Sequence, residues 1–153
     1  MQVLINKSSF LGNPTSGFDI YKTQALSLGS STMIFPEDIL SDDLQALIEK
    51  IRLFQGLPNN WDDYGAEKIS PVAINDAIQF IQSYSGKNLP FYFAAPGVNG
   101  EVMVELKLGN RAAEVFFNPD RSTELLLFEN NNCKLEGDLE TNIEELISFF
   151  NEG

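Results

Sequence analysis

The sequence predicts an α+β fold of two layers, an antiparallel meander of about four strands with helices packed on one face. Three observations predict it. Apolar residues recur at helical spacing over 40–54 and again over 74–81. From Leu89 the period changes to two, with turn signals between the alternating runs. Near the C-terminus Thr141-Asn142-Ile143-Glu144 matches a capping box and opens a last apolar-faced helix. A sheet with helices on one side is the simplest arrangement that buries both apolar surfaces.

Residues 1–36 give the weakest signals. Residues 1–6 suit a strand, 13–17 a turn-rich loop, and 18–28 an irregular or extended stretch. The first helix is expected over 36–55. Leu40, Leu44, Leu47, Ile48, Ile51 and Phe54 make its inner face, and Asp42, Asp43, Glu49 and Lys50 its outer one. Acids in its first turn complement the helix dipole. Gly56 and Pro58 end it. For the second helix, Ser70 is placed to cap and Pro71 to stand first, where its missing N–H costs nothing. Ile74, Ala77, Ile78 and Ile81 form its apolar face, and Gly86 supplies a stop.

A strand is expected over 91–95, then a hairpin at Asn99-Gly100. Residues 101–108 alternate strictly, with Val102, Val104, Leu106 and Leu108 on one side. Gly109-Asn110 signals a second two-residue hairpin, followed by a strand over 111–117, a turn at 118–121 and a strand over 123–129. Asn130-Asn131-Asn132 is a turn of residues that tolerate positive φ, and 133–136 suits a short final strand. Thr141 then caps a helix whose face is Ile143, Leu146, Ile147 and Phe150.

The Gly109-Asn110 turn fixes a register. Leu108 should face Arg111, Leu106 Ala113, Val104 Val115, and Val102 Phe117, so the apolar faces match. The same register sets Glu105 opposite Glu114, a like-charge pair that is unfavourable unless well solvated. Glu101, Glu105 and Glu114 would form an acidic stripe on the sheet's outer face, beside Met103 and Phe116. Those two apolar side chains call for a cover, either the N-terminal segment or a second copy.

With 153 residues, the chain suits a single domain. Its parts are the segment 1–36, a helix-helix-meander core over 37–128 and an acidic strand and helix over 129–153. Twenty-two acids against ten bases give a net charge of −12. The last 25 residues hold seven of those acids and one base, Lys134. Such a charge opposes direct nucleic-acid binding, which needs cations to neutralise phosphates. It favours a basic protein partner, or one that itself handles nucleic acid. The absence of histidine excludes Ser-His-Asp and Cys-His catalysis and His-ligated metal. A lone Cys133 excludes an internal disulfide and a cysteine zinc site. No signal peptide or membrane span is expected, which points to the cytoplasm.

One segment is distinctive: Leu57-Pro58-Asn59-Asn60-Trp61-Asp62-Asp63-Tyr64-Gly65-Ala66, with the only tryptophan. In the structural reading Trp61 fills a gap between the helices and the sheet and Asp62 accepts backbone N–H bonds. Tyr64 packs its ring and ties its hydroxyl to backbone, and Gly65 supplies positive φ. In the functional reading Asp62, Asp63, Tyr64 and Glu67 hold a cation or a polar ligand, although their spacing is not that of a calcium loop. The structural reading is favoured. Together with Ser70-Pro71 and Gly100-Glu101-Val102-Met103-Val104-Glu105, this segment resembles a group of small bacterial proteins of unassigned function. They share an Asn-Trp-Asp-x-Tyr-Gly-Ala stretch, a proline-started helix and a Gly-x-Val-x-x-Glu strand. The resemblance spans roughly residues 50–128 and implies no activity. Asp63 stands where that group often has Gly, and Leu106 where it often has Trp.

The function expected is therefore non-enzymatic. The chain reads as an acidic inhibitor, a nucleic-acid mimic of antitoxin, immunity or phage counter-defence (anti-CRISPR) type. Its basic partner would meet Glu101, Glu105, Glu114, Glu136, Asp138, Glu140, Glu144 and Glu145. The alternative is a small-ligand or divalent-metal module built on Trp61-Asp62-Asp63-Tyr64. Least favoured is an enzyme working through paired carboxylates of the stripe. No cofactor is expected, and a homodimer is compatible with the pattern.

Overall fold

The computed structural model describes residues 40–152. The expectations for 1–36 and for the first turn at 36–39 lie outside those residues. Among the described residues three α-helices and five strands follow in order: α1 (Asp42–Leu53), α2 (Pro71–Tyr84), β1 (Phe91–Pro96), β2 (Val102–Leu108), β3 (Arg111–Phe117), β4 (Thr123–Glu129), β5 (Asn132–Gly137) and α3 (Ile143–Asn151). The strands form one antiparallel sheet in the order β1-β2-β3-β4-β5. The α+β class is as expected, with five strands where about four were expected. The fifth exists because Asn130 and Asn131 both take positive φ, 52° and 66°, and close a two-residue turn between Glu129 and Asn132.

The helix starts follow from their caps. α1 begins at Asp42, not near Pro36, because the Ser41 hydroxyl accepts the Leu44 N–H at 3.3 Å and makes residue 41 the cap. A short 3₁₀ turn, Phe54–Gly56, ends it. Ser70 caps α2 as expected, accepting from Val72 N and Ala73 N at 3.1 and 3.4 Å, with Pro71 first. Gly86 is not the stop. A 3₁₀ turn, Ser85–Lys87, carries the chain past it, and Asn88 takes the left-handed conformation at φ 59°. The capping box at Thr141 is not formed: Asn142 is the N-cap of α3 and makes no side-chain cap bond. Asp138 intervenes, accepting the Thr141 N–H at 2.8 Å and drawing that residue into a turn of its own.

The expected register of β2 with β3 is found at every position, Val102↔Phe117 through Leu108↔Arg111. Between them only Gly109 takes positive φ (63°), as a turn with glycine first requires. The β1–β2 connection is longer than the two residues expected. Pro96 pairs with Val102, so 97–101 form the loop, and Glu101 accepts the Asn99 N–H at 2.8 Å.

The core sits between the helices and one sheet face. Ile51, Ile69, Ile81, Leu106, Leu125 and Leu146 are fully buried, and no polar side chain is buried among the described residues. Phe80 of α2 meets Phe91 and Phe117 with ring centroids 5.6 and 5.5 Å apart. At the far end Arg111 donates to the Phe149 and Glu152 carbonyls at 2.8 and 3.0 Å, and its Nε lies 3.3 Å from Glu129. It thereby satisfies the C-terminal carbonyls of α3 and ties that helix to the sheet.

Candidate functional site

The Trp61 loop, between α1 and α2, is stitched to itself by its own short polar side chains. Asp62 Oδ1 accepts the N–H groups of Tyr64 and Ala66 at 2.9 and 3.0 Å. Asn60 Oδ1 accepts from Gly65 N at 2.6 Å, and Asn59 Oδ1 from Lys68 N at 3.0 Å. Trp61 is half-buried against the core, and its indole N–H donates to the Glu67 carbonyl at 3.1 Å. The backbone N–H bonds, Tyr64's first, hold the Asp62 carboxyl below the usual aspartate range. Asn60, Asp63 and Gly65 all have positive φ, 63°, 66° and 89°. Asp63 is thus left-handed, a conformation that Asp tolerates better than most side chains.

The loop is also pinned to the β1–β2 turn. Glu67 N donates to Val98 O at 2.9 Å, and Ser70 N to Gly100 O at 3.0 Å. Gly100 has φ 84°, and a Cβ there would lie 3.1 Å from the Lys68 carbonyl. The Trp61 loop and the β1–β2 turn, far apart in sequence, therefore meet backbone to backbone. Sequence reasoning missed this contact, and the Asn59 and Asn60 bridges with it. The signal available was Gly100 itself, a glycine that a close approach requires.

Tyr64 corrects an expectation. Its ring does not pack; the side chain is 92% exposed. The turn that Asp62 and Asn60 impose leaves it outside. The carboxylates of Asp62, Asp63 and Glu67 do not converge either. Among the described residues, no three acidic or cysteine side chains gather as a metal ion would need.

The acidic residues fall into two surfaces. On the outer sheet face, one cross-strand row runs Phe93–Glu105–Glu114–Leu126–Glu136. Glu105 and Glu114 are directly opposed, as expected. Partial burial first, and the Glu105 charge second, push the Glu114 carboxyl above the usual glutamate range. Glu101 is not part of this row: its carboxylate turns back onto the 97–101 loop to accept the Asn99 N–H. The second surface surrounds the start of α3, where Asp138, Glu140, Glu144 and Glu145 are exposed. Asp138 is held low by the Thr141 N–H. Glu144 and Glu145 stand in the first turn, where the helix dipole favours them.

The cations are largely committed within the domain. Arg52 pairs with Glu49, Arg111 with Glu129 and Arg121 with Asp76. Lys50 lies 3.8 Å from the centre of the Phe93 ring, Lys107 5.5 Å from that of Tyr92, and Lys68 donates to the Gln55 carbonyl. Cys133 is exposed on β5. No helix among the described residues is long and apolar enough to cross a membrane.

No family model, curated protein or solved structure matches the chain.

Proposed function

We propose that the protein is a non-enzymatic acidic inhibitor that binds a basic or nucleic-acid-handling protein, in the manner of an antitoxin, immunity or counter-defence protein. The observation that carries this reading is the asymmetry of charge use. Three of its arginines are spent in ion pairs inside the domain, while Glu136, Asp138, Glu140, Glu144 and Glu145 face solvent. A surface of that kind steers association with a cationic groove and can occupy a phosphate site. A cytoplasmic location belongs to this reading, and the exposed thiol of Cys133 suits such a reducing compartment. The alternative, a small-ligand or metal module on Trp61-Asp62-Asp63-Tyr64, has less support, because one oxygen of Asp62 already serves two backbone N–H groups.

The test is affinity capture on the immobilised protein with a salt gradient, run beside a Glu140→Lys/Glu144→Lys/Glu145→Lys variant of matched melting temperature. A basic protein held at low salt, released as salt rises and not held by the variant is the expected result. Capture that ignores both salt and the three substitutions overturns the proposal.

A further inference from the structure

The turn that pins the Trp61 loop holds a reactive pair. Asn99-Gly100 is the one Asn-Gly pair in the chain. Asn99 is exposed in the β1–β2 turn, and the glycine after it is buried. Asn99 is held through its backbone, whose N–H donates to Glu101 at 2.8 Å. Elsewhere the carboxamides themselves are engaged: those of Asn59, Asn60, Asn110, Asn118, Asn142 and Asn151 each make a hydrogen bond. Each of these six is also followed by a residue whose side chain crowds the next backbone nitrogen. Glycine presents that nitrogen without a Cβ.

We propose that Asn99 is a site of spontaneous covalent modification, deamidation through a succinimide, and that the product releases the β1–β2 turn from the Trp61 loop. The Gly100 backbone nitrogen loses its proton to solvent and attacks Asn99 Cγ. The new N–Cγ bond closes the ring, the Cγ–Nδ2 bond breaks, and ammonia leaves with a proton taken back from solvent. Water then opens the ring at either imide carbonyl. Opening at Cγ restores the normal chain with aspartate in place of asparagine. Opening at the main-chain carbonyl leaves isoaspartate, with the chain now running through Cγ. The net change is one water consumed and one ammonia released, and no other reactant is needed.

The position gives the product its effect. Isoaspartate adds one methylene to the main chain and leaves a carboxylate beside it. The insertion falls between the two acceptors that hold the loop. Val98 O takes the Glu67 N–H at 2.9 Å, and Gly100 O takes the Ser70 N–H at 3.0 Å. A Cβ on Gly100 would lie 3.1 Å from the Lys68 carbonyl, so the contact has little slack for a longer chain. Ser70 also caps α2, so the disturbance reaches the first turn of that helix. The change runs one way. It stands apart from the inhibitor reading, whose acids lie around the start of α3.

Ageing the full chain in warm, mildly alkaline buffer made with ¹⁸O-labelled water tests the site. Peptide mass spectrometry with electron-transfer fragmentation separates isoaspartate from aspartate. The expected result is isoaspartate at position 99 ahead of every other asparagine, carrying solvent oxygen. Asn99→Gln, whose longer side chain cyclises far more slowly, should show none there. No isoaspartate at position 99, or its appearance first at another asparagine, overturns the proposal. Hydrogen exchange on the separated isoaspartyl fraction tests the release. The N–H groups of Glu67 and Ser70 should lose their protection, while freshly prepared Asn99→Asp, which adds the charge without lengthening the chain, keeps it. Unchanged protection in the isoaspartyl fraction overturns the release. Equal loss in Asn99→Asp overturns the lengthened chain as its cause.

Discussion

Asp63 and Gly65 stand two residues apart in the Trp61 loop, and both have positive φ. Left-handed backbone is strained for most residues and free for glycine. Asp63→Gly should therefore leave stability within about 1 kcal/mol of the parent, on the stabilising side, whereas Asp63→Val should cost about 1–2 kcal/mol. Urea unfolding of the two variants measures the difference. Glu114 makes a separate prediction in pH. Burial and Glu105 raise its pKa from the ordinary value of 4.5, so the folded protein holds that proton more tightly than the unfolded chain. The resulting stabilisation is complete below that ordinary value and disappears as pH rises through the folded one. Glu114→Gln should thus be more stable than the parent at pH 7, with the advantage shrinking as the pH is lowered through that range. A melting series across pH checks this, and an advantage that grows toward acid contradicts it.

At the level of elements, two helix ends rest on single side chains. Ser70 satisfies two N–H groups at the start of α2, so Ser70→Ala should cost about 1 kcal/mol. Arg111 holds the last carbonyls of α3 from the sheet. Arg111→Ala should cost about 1.5–3 kcal/mol, the range for hydrogen bonds involving a charged group. Hydrogen exchange should show the loss concentrated in the last turn of α3, not spread over α1 and α2. These caps also show what the sequence made legible. Ser70-Pro71 was plain because one residue supplies the cap and the next fits only there. Thr141 misled because Asp138, three residues earlier, competes for the same N–H. Gly86 misled because a glycine permits a left-handed turn without requiring it, and Asn88 takes that conformation instead.

For the whole molecule the dominant quantity is a net charge of −12. Self-repulsion of that size opposes compaction, and salt screens it. The melting temperature should therefore rise with sodium chloride at pH 7, and a fall would mean that the internal pairs of Arg52, Arg111 and Arg121 outweigh the repulsion. The acidity has two parts of different physical character. The acids near the start of α3 are exposed, so reversing them should leave the core intact and cost only the dipole complement of Glu144 and Glu145, about 0.3–1 kcal/mol each. The sheet pair is half-buried and opposed, so it is tied to the fold.

By itself the sequence determined the period of each element, the β2–β3 register and the opposition of Glu105 to Glu114. Those follow from local geometry: a side-chain period of two and a two-residue turn leave no other alignment that buries Val102, Val104 and Leu106 together. Only the tertiary structure decided where Tyr64 and Glu101 point, because each is aimed by hydrogen bonds that its neighbours compete to make. It also decided that Gly100 meets Lys68 and that Arg111 closes α3, contacts between residues far apart in the chain. Such contacts leave no periodic trace, since they depend on how the elements pack and not on the order in which they occur.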